Sequence, residues 1–271
     1  LKHFCFGSSA AHPSHPSSLR DPRVAASGVL RREMAEKRDA PPAPVALDQR
    51  TDFGRVCFGA GFLSFISGMV NAVAILELSS TVAHHTGNMS HFGRLLGEDA
   101  TRFLALMVAF MLGAGVAGYH EADGDALIAG RFSGGLLGSA AAIGAGALVQ
   151  KALGAPSLAL PLLAFSQGLQ NGVTSRFSGL PLRTTHMTGS LTDAGLIFGQ
   201  CVKALRNNKP LPPLRKPVLF LVCIACFAGG GVSAKLTRRA VGILAALVPA
   251  GLLAAAAAGL PGALGSREKA A

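Results

Sequence analysis

"HHTGNM" at residues 84–89 and "HMTGSL" at 186–191 are two copies of one short polar motif, each following a long apolar run. The runs ahead of them also match, with "GMVN" at 68–71 answering "GLQN" at 168–171. Counting on from each Thr-Gly, Gly93 answers Gly195 and Gly97 answers Gly199. Further on, "GAGV" at 113–116 answers "GGGV" at 229–232. The matches keep their order, with one extra loop around 203–216. A lone Thr-Gly would mean nothing, but an ordered series of this length reads as an internal duplication.

Composition places the duplicated unit in a membrane. The chain has 271 residues, 50% hydrophobic and only 14% charged, with a mean hydropathy of +0.43. A soluble domain carries about a quarter charged residues. There are 34 glycines and no tryptophan; small residues let helices approach closely in lipid. After Arg55 the apolar runs are 56–78, 102–119, 130–149, 158–175, 217–234 and 239–260. Each is close to the ~20 residues of a spanning helix. The first carries Asn71 and Glu77, and the short fourth carries Gln167, Gln170 and Asn171. The expected architecture is all-α, a polytopic membrane protein of six transmembrane helices in two three-helix repeats, 56–150 and 156–260. An odd number of crossings per repeat makes the second copy enter from the opposite side, so the repeats are expected to be inverted.

The net charge of +11 does not point to nucleic acid. Lys and Arg lie between the apolar runs, and aromatic residues do not interleave with them. With the N-terminus inside, inner segments after the first helix hold ten basic residues: Arg131, seven from 176 to 216, Arg267 and Lys269. Outer segments hold six: Arg94, Arg102, Lys151, Lys235, Arg238 and Arg239. That bias predicts both termini inside.

Residues 1–52 lie outside the six-helix domain of 53–262, and 263–271 form a short tail. The front segment has prolines at 13, 16, 22, 41, 42 and 44 and no apolar period, which predicts disorder. From 1 to 32 it is rich in Arg and Ser with Asp21 its one acid, as a transit peptide would be. It reads equally as translated upstream sequence with Met34 as the start. The membrane is accordingly the plasma membrane or that of an organelle. "CIAC" at 223–226 has redox or zinc spacing. No second ligand pair is near it, and two small side chains on one lipid-buried helix face explain it.

"GMVNAVAIL" with "HHTGNM", and "GLQN" with "GLPLRTTHMTGSLTDAG", resemble the two signatures of the YoaK-like membrane proteins, domain of unknown function 1275. The resemblance spans about 53–260 and implies six spans. The first signature departs from the family pattern in lacking an Asp in the first helix, where Ser67 and Asn71 stand. The resemblance implies no activity.

The motifs permit a solute site. Irregular chain at membrane depth is tolerated only against protein or a water-filled cavity. Thr-Gly is poor helix interior, and Thr suits an N-cap. Each His-x-Thr-Gly therefore reads as a break with a short helix starting just after it, its free N–H groups favouring an anion or polar oxygen. Ser64, Ser67, Gly68 and Asn71 share one helical face, as do Gln167, Gly168 and Asn171. Such a stripe lines a path or glues helices together. His84 and His186 are the matched histidines, without a Cys or carboxylate beside them at ligand spacing, so no metal or cofactor is expected. Glu77 is expected at the interface. Arg176 and Arg183 flank the second break as anion partners or as ordinary inner-face anchors.

No triad, phosphate loop or paired carboxylates appear, so an enzyme is not expected. The leading expectation is a transporter or permease of a small polar or anionic solute, in contact with lipid and not with nucleic acid. Its binding set is Asn71, His84, Thr86, Gly87, Asn88, Gln167, Asn171, Arg183, His186, Thr188 and Gly189. The alternative is a non-transporting structural or regulatory membrane protein.

Overall fold

A computed structural model describes residues 53–95, 100–120, 133–177 and 183–268. The expected front segment 1–52 lies outside the described residues. Every described element is a helix: α1 Phe53–Leu78, α2 His85–Arg94, α3 Ala100–His120, α4 Ser133–Leu153, α5 Pro156–Phe177, α6 Met187–Arg206, α7 Arg215–Val241 and α8 Leu247–Glu268. A 3-10 turn, Gly242–Ala246, joins α7 to α8.

The six apolar runs become α1, α3, α4, α5, α7 and α8, and the two motifs open α2 and α6. Among the described residues, four stretches are long and apolar enough to cross a membrane: Phe53–Leu78, Ala100–Tyr119, Gly134–Leu153 and Arg215–Ala258. The last is 44 residues long and contains both α7 and α8. Helix α5 has the length, but its second half, "SQGLQNGVTSRF", is polar.

The boundary between the last two runs differs from expectation. The sequence pattern puts the basic cluster between the helices, yet Arg238 and Arg239 sit in the last turn of α7. Cations there complement the negative end of the helix dipole. The chain turns instead at Gly242, whose φ of +59° is a conformation that favours glycine. Helix α8 then runs to Glu268, beyond the expected end of the domain.

Polar side chains are buried among an apolar core while large apolar ones face outward. Ser64, Ser67, Gln167, Gln170 and Thr174 are buried, while Phe58, Met111, Leu112, Leu148, Leu221 and Val232 are exposed. Large apolar side chains facing outward, with polar ones set inside a mainly apolar core, are the arrangement lipid demands. The chain is an integral membrane protein.

Two parallel helix pairs form the frame, α1 with α7 and α3 with α5. In lipid, helices associate through close packing rather than hydrophobic burial, so small residues mark the contacts. A methyl group on Gly68 would overlap the Phe227 carbonyl, and one on Gly230 the Phe65 carbonyl. In the other pair, Gly168 meets the Phe110 carbonyl and Gly113 the Phe165 carbonyl. Both crossings therefore use matched residues: Phe65 and Phe165, Gly68 and Gly168, Phe110 and Phe227. The register shifts by one from the sequence match, because Gly113 answers Gly230 and not Gly229. Glu77, expected at the interface, pairs with Arg238 where the ends of α1 and α7 meet. Helix α4 packs on α5 and α8, α2 on α3, and α6 on α7.

Candidate functional site

The breaks lie earlier than the sequence suggests. Helix α2 starts at His85 and α6 at Met187, with His84 and His186 in the N-cap positions and no side-chain cap at either. Thr86 and Thr188 fall inside the first turn, so the expected Thr86 cap is not formed. The irregular chain is the stretch before each histidine, and the preceding long helix satisfies it. Asn71 Oδ1 accepts the backbone N–H groups of Val82 (3.1 Å) and Ala83 (3.2 Å). Its Nδ2 lies 3.3 Å from His84 Nδ1. In the second half Asn171 accepts from Thr184 Oγ1 at 3.0 Å and donates to Thr185 Oγ1. The matched asparagines thus do matched work, each tying its own break to its own helix.

A buried polar chain then joins the halves. Thr184 Oγ1 is 3.2 Å from Ser67 Oγ of α1. Gln170 Nε2 donates to Ser67 Oγ (2.9 Å) and to the Leu63 carbonyl (2.6 Å). This bridge is one-sided, because the counterparts of Gln170 and Thr184 are Val70 and Val82, whose side chains cannot bond. One turn before Gln170, Gln167 is wholly buried and neither polar atom of its amide has a partner. Gln170 Oε1 is likewise unpartnered. An unpaired buried polar atom costs about 1–3 kcal/mol, so these mark a place that a water or solute group would satisfy.

Other expected residues are not gathered here. Thr86, Gly87, Thr188 and His186 are exposed at the starts of their helices, and Arg183 is exposed in the chain ahead of α6. The His186 ring folds over Gly189, where a methyl group would meet it, while Gly87 has open space. Asn88 is buried but engaged with Thr81 and within 3.5 Å of His85. Arg176 falls in the last turn of α5, and its side chain lies outside the described residues. Gln170, Thr184 and Thr185 belong to the network but not to the set expected from sequence. Gln170 is signalled by its spacing from Gln167, whereas the threonines have no polar counterpart in the first repeat.

The histidines of the first break are held neutral. Burial lowers the His84 pKa, and it lowers that of His85 to about 4 with help from the His84 charge. With Asn71 donating to Nδ1, the His84 proton sits on Nε2. The His84 ring meets Phe227 edge-on and His85 packs on Phe110, so both histidines touch a crossing residue. Among the described residues, no three of His, Cys, Asp or Glu gather to hold a metal ion.

Residues 59–259 match the model of a family described as protein of unknown function (DUF1275). A UPF0700 transmembrane protein of Rhizobium meliloti (strain 1021) is 31% identical over 201 residues, covering 72% of this chain and 83% of that protein. No solved structure matches the chain. The outward apolar helices, a family match over most of the chain and a transmembrane relative agree: the chain belongs to the DUF1275 family of membrane proteins.

Proposed function

We propose that this protein carries a small polar or anionic solute across the membrane, through the bundle interior where α5 faces α1. The observation that supports this is Gln167: a fully buried amide with two unpartnered atoms, one turn from the half-satisfied Gln170. A scaffold gains nothing from such groups, since replacing them with apolar side chains would remove their cost. A permeation route uses them, offering a donor and acceptors that a passing solute satisfies in turn. The asparagines hold the walls, and the role is binding, without a catalytic step.

The same reading includes six crossings in two inverted repeats. The matched glycine crossings support it. Parallel α1 and α7 require an odd number of crossings between them, and α3, α4 and α5 supply three. Helix α6 then lies along the membrane surface. Leu191, Phe198, Val202 and Leu205 recur on one of its faces and are exposed, and Lys203 and Arg206 lie in its last turn.

The test is uptake into liposomes containing the purified protein, across a panel of small polar and anionic solutes. Wild type should take up at least one, and Gln167→Leu should abolish that uptake without lowering thermal stability. Uptake indifferent to Gln167→Leu refutes the route. The alternative, a structural or regulatory membrane protein, is favoured by the bonded asparagines and close glycine crossings. It predicts no uptake of any solute.

A further inference from the structure

The end of α1, helix α2 and the start of α3 enclose an open cleft of about 370 Å³, apart from the buried route. That lies within the ~300–1,000 Å³ of small-ligand pockets. Arg94, Arg102 and His91 line it, and no Asp or Glu does so among the described residues. A guanidinium carries five N–H donors. Arg102 directs one to the Ser79 carbonyl at 3.2 Å, and Arg94 Nη2 lies 3.4 Å from His91 Nδ1. Most donors of both arginines therefore remain for a ligand. With Nδ1 accepting from Arg94, His91 presents Nε2–H, and its ring stacks on Phe103 at 5.1 Å.

The cleft wall also holds Ser80, only 7% exposed, whose hydroxyl has no partner. Ser79, at φ +51°, turns the chain at the end of α1 and so sets Ser80 in place. A buried hydroxyl without a partner is costly unless a ligand supplies one. Two guanidinium groups, a ring N–H and a hydroxyl around one space, with no competing carboxylate among the described lining residues, match an oxyanion.

We propose that this cleft binds a phosphate group. The group comes from a free phosphate or from a lipid headgroup, and the site stands whether or not the protein transports anything. The test uses the full chain in non-ionic detergent, titrated with inorganic phosphate against chloride at equal ionic strength. A parallel arm uses nanodiscs of phosphatidylcholine with and without phosphatidylglycerol. A saturable rise in melting temperature with phosphate identifies a free anion, and a rise with phosphatidylglycerol alone identifies a headgroup. In either case Arg94→Gln should raise the half-saturating concentration about tenfold or more, as loss of one charge-assisted contact implies. Ser80→Ala should raise it less. Arg102→Gln also removes the contact to the end of α1 and can unfold the protein, so the Arg94 variant decides. No rise in either arm, or a rise unchanged by Arg94→Gln, overturns the proposal.

Discussion

Replacing Asn71 with Leu should destabilise the protein more than replacing its match, Asn171. Asn71 Oδ1 is the acceptor for two backbone N–H groups, those of Val82 and Ala83. Both residues are buried, at 0% and 6% exposure, so water does not replace the lost oxygen. Each orphaned amide costs about 1–3 kcal/mol, about 2–6 kcal/mol together. Membrane-buried polar bonds tend to the lower end, because the unfolded state in lipid finds other partners. Asn171 instead serves two threonine hydroxyls, which can rotate, and Thr184 retains Ser67. Its loss should cost roughly half as much, about 1–3 kcal/mol. Thermal unfolding of the two variants in detergent, followed by circular dichroism, reads the order directly. Melting of Asn171→Leu below Asn71→Leu, or of Asn71→Leu within about 2 °C of wild type, would refute this ranking.

Gly68→Ala and Gly168→Ala should each lower the melting temperature, since added methyl groups force the paired helices apart at about 1–3 kcal/mol or more; Gly87→Ala, in open space, should be neutral or stabilising. His85, held at about pKa 4 against an ordinary 6.5, binds fewer protons folded than unfolded between those values. Its contribution to stability is therefore complete above about pH 6.5 and lost as pH falls toward about 4, which His85→Gln should flatten in a melting-temperature profile. A cysteine placed at Lys209 should escape an impermeant thiol reagent applied to intact cells, and efficient labelling there would reverse the assigned orientation.

The apolar helices and the recurring motifs are legible in the sequence because apolar length and motif order are written locally. The helix starts are not, because what completes each break comes from a distant residue: Asn71 reaches Ala83, and Asn171 reaches Thr185. Thr86 resembles a cap on local propensity alone. The glycine register differs by one because "GAGV" and "GGGV" align best on composition, while packing selects Gly230 by its contact with Phe65. Of the candidate site, Asn71, His84, Gln167 and Asn171 fall in the buried breaks or the interior of the bundle. The exposed Thr86, Thr188 and His186 show that repeated residues need not face inward. The cleft beside Ser80 is out of reach of the sequence, since Arg94 and Arg102 count only as topology markers until folding sets them together.

The proposed transport role rests on Gln167 lining a route open to polar solutes. In a background with the five native cysteines replaced by alanine, Gln167→Cys can be tested with a small charged methanethiosulfonate reagent. Leu163→Cys, equally buried one turn away in the apolar core, is the control. A route predicts that the thiol introduced at position 167 reacts from the aqueous phase while the thiol at position 163 stays unreactive. Absence of reaction at position 167, or equal reaction at both positions, would contradict it.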